Sequence, residues 1–244
     1  MQGIYTWGKR CTRELLRDPL SVGFSLGFPV VLLLLMTAIQ KNIPVQLFEL
    51  TSLTPAIAVF GLSFLSLFSA SLIARDRSQA LLVRMYTTPL TARDYILGYT
   101  LPLLPLGLAQ GAICYLLAMV LGLAPSLSIL LALVTLIPAT LLFIGIGLLC
   151  GSLFNDKQVG GLCGALLTNL TAWLSGAWFD LSLVGEGFRA IAYALPFVHA
   201  VELGRGALTG ANPDLWLNLL VLLGWTVGVL LLAIYAFLQQ MQKE

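Results

Sequence analysis

Apolar and polar positions alternate along this chain in long blocks. Residues 20–39, 54–74, 96–121, 128–153, 159–179 and 215–238 are almost uninterrupted runs of Leu, Val, Ile, Ala, Phe and Gly. Each is near or above the roughly 20 residues that a helix needs to cross a bilayer core. The pattern therefore predicts six transmembrane helices. Ahead of them, residues 1–18 sort their side chains by helical face. Ile4, Trp7, Cys11 and Leu15 fall on one side, while Lys9, Arg10, Arg13 and Arg17 fall on the other. Such a stripe suits a helix lying on a membrane surface. Asp18-Pro19 reads as a helix cap followed by proline at the first helical position. Pro102 and Pro105 predict a kink early in the third span.

Two polar breaks are long enough to hold structure of their own. Residues 75–95, RDRSQALLVRMYTTPLTARDY, carry four arginines between two apolar blocks. Read as a helix over residues 78–86, Leu81, Leu82, Met85 and Tyr86 share one arc at three- and four-residue spacing, edged by Arg77 and Arg84. Thr88-Pro89 stops that helix. A short amphipathic helix at the inner membrane face is a handle for a partner; the competing reading is an arc lying in the lipid interface. The second break, 180–214, has a middle too apolar for a free loop. FRAIAYALPFVHAVELG divides at Pro196 into two short pieces and predicts a helical hairpin dipping back into the bilayer. His199, Glu202 and Arg205, three apart, could pair along one face of its second piece, either to satisfy one another or to serve substrate exit.

Composition makes lipid the solvent. The chain has 244 residues, 59% hydrophobic and 10% charged, with a mean hydropathy of +0.94, against about 25% charged in an ordinary soluble domain. A net charge of +2 is too small to suggest nucleic acid. The amino-terminal residues, polar and basic, do not read as a secretion signal. Cys11, Cys114, Cys150 and Cys163 lack metal-ligand spacing and read as packing residues. With six spans, Lys9, Arg10, Arg13, Arg17, Arg75, Arg77, Arg84, Arg93, Lys157 and Lys243 share one side, leaving Lys41, Arg189 and Arg205 on the other. Positive charge favours the cytoplasm, so both termini are expected there, in a multi-pass protein of the cell membrane.

Candidate chemistry is sparse. No Asp, Glu, Lys, Arg or His falls mid-span, which disfavours proton-coupled transport. Thr168, Asn169, Thr171 and Trp173 form the most polar intramembrane group; they either line a pathway or make interhelical hydrogen bonds. Ser175-Gly176 suggests a nucleophile, but the single histidine, His199, lies in the external hairpin, so hydrolysis is disfavoured. There is no P-loop, so any ATP must be bound by a partner. Glycines recur four apart at 23/27, 107/111, 147/151, 160/164 and 224/228, a weak sign of close helix packing. No internal repeat of three spans is visible.

The 75–95 segment resembles the loop after the second helix of ABC-2 type permeases, the membrane subunits of type V ABC exporters, whose pattern is roughly E-R-x-x-G-T-L-E-x-L-x-x-T-P-L-S-x-x-x-x-x-G-K. Asp76-Arg77 stands at the acidic–basic pair, Leu82 and Met85 at apolar positions, Thr88-Pro89-Leu90-Thr91 at T-P-L-S, and Gly98 at the glycine opening the third span. Leu174-Ser175-Gly176, Leu195-Pro196, Arg205 and Gly210 are similar to that family's external region, and the basic amino-terminal segment to its elbow helix. Ala80-Leu81 replaces Gly-Thr, Val83 the second Glu, and Tyr99 the usual Lys. The resemblance implies one all-α integral membrane domain over residues 1–244: an elbow helix (1–18), six transmembrane helices, a cytoplasmic coupling loop (75–95) and an external re-entrant hairpin (180–214). It also implies an exporter subunit paired with a second permease copy or paralogue and driven by a separate ATPase that holds ATP and magnesium. Arg77, Leu81, Leu82, Arg84, Met85 and Pro89 would then form the ATPase-coupling surface, and Pro196, His199, Glu202 and Arg205 the external hairpin. A pathway without fixed charge favours an amphipathic or lipophilic cargo (a drug, peptide antibiotic or lipid), a glycan or ion staying open. A membrane-embedded assembly or regulatory subunit that moves nothing is the alternative.

Overall fold

A computed structural model of the protein describes residues 2–42, 46–78, 92–210 and 214–243. Every regular element among them is helical: α1 (Gln2–Arg17), α2 (Pro19–Asn42), α3 (Leu50–Ser78), α4 (Ala92–Leu121) and α5 (Leu127–Leu153) come first. A three-part helix follows, made of α6 (Asp156–Val159), a π-helix (Gly160–Leu167) and α7 (Thr168–Leu174). Then come α8 (Glu186–Ala194), α9 (Pro196–Thr209) and α10 (Leu215–Lys243), with short 3₁₀ turns at Gln46–Phe48 and Leu181–Leu183.

Five of these helices are long and apolar enough to cross a membrane: Ser21–Asn42, Leu50–Ser78, Ile96–Leu121, Leu127–Leu153 and Leu215–Gln240. They match five of the six apolar blocks and overrun them at half of the ends, where the helix continues past the apolar run. The sixth block differs. Its helix starts at an Asn155–Gln158 capping box, in which the Asn155 side chain accepts from the Gln158 amide at 3.0 Å and Gln158 returns the bond at 3.1 Å. It then widens into the π-helix through GGLCGALL before tightening again. At the α-helical rise of 1.5 Å per residue, 156–174 would reach at most about 28 Å, and the π-helix shortens that.

The core is built around α3 and α5. In α3, 72% of the most apolar stretch is buried, against 22% in α2. Two glycine pairs make the α3–α4–α5 packing possible. A Cβ on Gly147 or Gly151 would lie 2.3 Å from the Ser66 carbonyl or 2.5 Å from that of Ala70, so these glycines let α5 rest on the α3 backbone. Gly107 and Gly111 receive Thr140 and Leu136 in the same way. A third packing centre gathers Phe28, Phe60, Phe64 and Trp178, with ring centroids 5.0–6.4 Å apart.

Three residues of the α1 stripe face the bundle. Trp7 and Cys11 are fully buried against α4, and Leu15 packs on the same core. Burial pushes the Cys11 thiol up to about 12, so it remains a packing residue.

Candidate functional site

The last turn of α3 reads Arg75-Asp76-Arg77, and each residue reaches a different neighbour. The apolar face of α3 carries Asp76 into the interior, where it is 3% exposed. A lone carboxylate there would be costly, and three donors meet it. Arg10 of α1 donates two hydrogen bonds, Nη1 to Oδ2 at 3.0 Å and Nη2 to Oδ1 at 2.7 Å. Tyr99 of α4 donates its hydroxyl to Oδ2 at 2.6 Å. Tyr99 stands where the family pattern has lysine, and a neutral donor suffices because Arg10 already balances the charge.

The other face of Arg10 is equally occupied. Its Nη2 donates to Glu14 Oε1 at 2.5 Å, and its guanidinium carbon lies 4.5 Å from the centroid of the Trp7 ring. Trp7 meets Tyr99 edge-on, with centroids 5.5 Å apart and planes at 89°. A Cβ on Gly98 would lie 2.4 Å from the Trp7 ring, so α1 and α4 touch there only because residue 98 is glycine. Burial works against the charge of Arg10. The hydrogen bonds and field of Asp76, helped by Glu14, outweigh it and raise the pKa. Burial, with the nearby Asp76 charge, raises the Glu14 carboxyl, and Arg10 only partly offsets it.

Arg75 and Arg77 extend the joint. Arg75 Nη1 lies 3.6 Å from Asp18 Oδ2 and its Nε 3.9 Å from Asp156 Oδ1. Asp18 accepts the Ser21 hydroxyl at 2.7 Å and the Ser21 amide at 3.1 Å, capping α2; these bonds hold its carboxyl below the usual range. Arg77 Nη1 donates to the carbonyls of Gly151 at 3.1 Å and Ser152 at 2.6 Å, a cation on the C-terminal end of α5. Three consecutive side chains thus bind the middle of α1, the start of α2, the first turns of α4, the end of α5 and the start of α6, just before residue 79. The arrangement is a polar joint that ties several helices together at one end of α3. Among the described residues, no three His, Cys, Asp or Glu side chains gather as a metal site.

Of the expected coupling residues, Leu81, Leu82, Arg84, Met85 and Pro89 lie outside the described residues. Arg77 is described, and its visible role is to hold α5. The Asp76–Arg10–Tyr99 contact was not expected from sequence. Its signal was a carboxylate in the last turn of an apolar helix, which demands a buried cation from another element.

The polar group of the fifth apolar block divides by face. Thr171 is fully buried, and Thr168 is half-buried with its hydroxyl on the Cys163 carbonyl at 3.2 Å. Asn169 and Trp173, four apart, face outward; Asn169 Nδ2 donates to the Ala165 carbonyl at 2.8 Å. In 180–214, Leu195-Pro196 divides α8 from α9, with Pro196 opening α9. His199, Glu202 and Arg205 reach in separate directions. His199 lies between Asn218 Oδ1 at 2.6 Å and the Tyr193 carbonyl at 2.9 Å, and Glu202 accepts the Tyr193 hydroxyl at 3.0 Å. Arg205 donates to the carbonyls of Ser52 at 3.1 Å and Gly176 at 2.9 Å. Burial lowers the Arg205 pKa, and Glu202 and Asp180 act against that shift. Together these bonds tie α9 to α10, to the start of α3 and to the end of α7.

Compared with known proteins, residues 2–209 match the family model described as ABC-2 type transporter. No curated protein matches the chain significantly.

Proposed function

The chain belongs to the ABC-2 type transporter family and is a transmembrane component of an ABC transporter that works with an ABC ATPase subunit; from that premise we propose that it is the permease subunit of an exporter for amphipathic or lipophilic molecules. In this reading 156–174 is a sixth span, both termini are cytoplasmic, and two copies, or one copy and a paralogue, face each other. ATP and magnesium sit on the ATPase. The observation that carries the coupling is the joint at Arg75-Asp76-Arg77. Segment 79–91 joins α3 to α4, and the last turn of α3 and the first turns of α4 are bound to α1 through Asp76. A push delivered to that segment by the ATPase therefore reaches α1, α3, α4 and α5 together. ATP shifts the balance between two packings only as far as it favours one of them, and a stiff joint keeps that preference from dissipating in loose helix ends. Leu81, Leu82 and Met85 dock on the ATPase, with Arg77 and Arg84 at the rim. Asn169 and Trp173, outward on the fifth block, face the pathway between copies.

Reconstituting the chain with its ATPase in liposomes tests this. Lipophilic compounds are expected to stimulate ATP hydrolysis, and aspartate at Leu82 and Met85 to abolish stimulation while the bundle stays inserted. Normal transport and co-purification by that double variant would sink the docking surface. A complex that hydrolyses ATP but moves no lipophilic compound would favour the regulatory alternative.

A further inference from the structure

A groove of about 520 Å³ runs between α1 and α4 on the side of α1 away from Asp76. Its rim carries Lys9 and Arg13, one helical turn apart, and its floor is Leu101, Pro102 and Pro105. Neither cation has a hydrogen bond or ion pair with any described residue. The floor residues lie within the span Ile96–Leu121, and Leu101 is 56% exposed. The groove therefore begins at interfacial depth and continues into hydrocarbon. A neighbouring cavity of about 490 Å³, between α1 and α3, has the opposite character: Glu14, Asp18 and Asp76 line it with Arg17 and Arg75.

We propose that the Lys9–Arg13 groove binds one anionic glycerophospholipid, its phosphodiester against the two cations and an acyl chain along Leu101, Pro102 and Pro105. Basic pockets between membrane helices are suited to acidic headgroups. A zwitterionic lipid brings the same phosphodiester together with a cation that Lys9 and Arg13 repel and that no carboxylate of the groove receives, so an acidic headgroup is favoured. The apolar floor adds affinity only for a ligand with a chain, which separates a lipid from a soluble phosphate. The groove walls are the same α1–α4 contact that packs Trp7 on Gly98, so an occupant braces the joint from its outer side. Only the choice of leaflet, the inner one, rests on the orientation proposed above. Binding in detergent depends on neither orientation nor transport.

The test uses the purified chain in a neutral detergent, titrated with short-chain phosphatidylglycerol, the matching phosphatidylcholine and glycerol 3-phosphate, and read by native mass spectrometry and unfolding temperature. Phosphatidylglycerol is expected to bind and stabilise at concentrations where the other two do neither. The K9Q/R13Q variant should bind it about thirty-fold more weakly. Leu101→Trp, which fills the floor and keeps both charges, should also weaken it. Equal binding of phosphatidylcholine, competition by glycerol 3-phosphate, or unchanged binding by L101W would each overturn the site, the last reducing it to surface charge. Should K9Q/R13Q fail to insert, the three ligands and L101W still decide.

Discussion

At the scale of single residues, Asp76 is where physical chemistry is least forgiving. It accepts from Arg10 and Tyr99 while almost wholly enclosed. Removing one partner of such a pair leaves the other charge buried and uncompensated, which typically costs about 3–5 kcal/mol. Asp76→Ala is expected near the lower end, because the Arg10 side chain retains 27% exposure and Glu14 as a second partner. Tyr99→Phe removes one charge-assisted hydrogen bond and should cost about 1.5–3 kcal/mol. Unfolding in detergent measures both, and an R10A/D76A double variant no worse than D76A alone would confirm their coupling. Glu14 sets a pH dependence. Its folded carboxyl is raised above the ordinary 4.5, first by burial and then by Asp76. Stability from this group is thus fully present below about 4.5 and is lost as pH rises through the folded value. Glu14→Gln should remove that decline between acid and neutral pH; an unchanged pH profile would refute it.

At the scale of elements, periodicity and block length located five of the six expected spans, since both follow from the bilayer and from the 3.6-residue turn. They could not tell which four-residue glycine pairs are contacts. Spacing is identical in all five, yet Gly147/Gly151 and Gly107/Gly111 sit against neighbouring helices, whereas Gly23, Gly27, Gly224 and Gly228 have nothing within 4 Å. Deciding that needs the partner helix, which the local sequence does not contain. The difference is measurable. Gly147→Ala and Gly151→Ala place a methyl against the α3 backbone, which cannot swing aside as a side chain can, so both should lower the unfolding temperature and the folded yield. Gly23→Ala and Gly224→Ala should change the stability of the isolated chain by no more than about 0.5 kcal/mol. Equal effects at all four would mean that α5 does not rest on α3 as described. The π-helix was hidden for a related reason: an apolar block reads the same whether its backbone bonds run to the fourth or the fifth residue back. The partner of the α1 face was hidden in the same way. A tryptophan-bearing stripe beside a basic one suits lipid or protein equally, and the choice of α4 depends on Gly98, far away in sequence.

At the scale of the whole molecule, the joint has meaning only if it lies on the side where an ATPase can reach it. The distribution of Lys and Arg proposes that side, and exposed positions allow a direct check. Leu183 is 80% exposed on the turn before α8, at the end of the bundle where α7 gives way to α8; Ser78 is exposed at the opposite end, beside the joint. The native thiols interfere little, since Cys11, Cys114 and Cys163 are buried and Cys150 is half-buried. With a membrane-impermeant maleimide on intact cells, Leu183→Cys is expected to label and Ser78→Cys to stay silent until the membrane is permeabilised. Six spans also place both termini with Ser78, so tags at either end should be equally protected. If instead 156–174 turned back without crossing, five spans would put the carboxyl terminus opposite the amino terminus, and one tag alone would be accessible. Labelling of Ser78→Cys on intact cells would be more damaging: the arginines would face the exterior, and no cytoplasmic ATPase could work the helix ends that Arg75, Asp76 and Arg77 hold together.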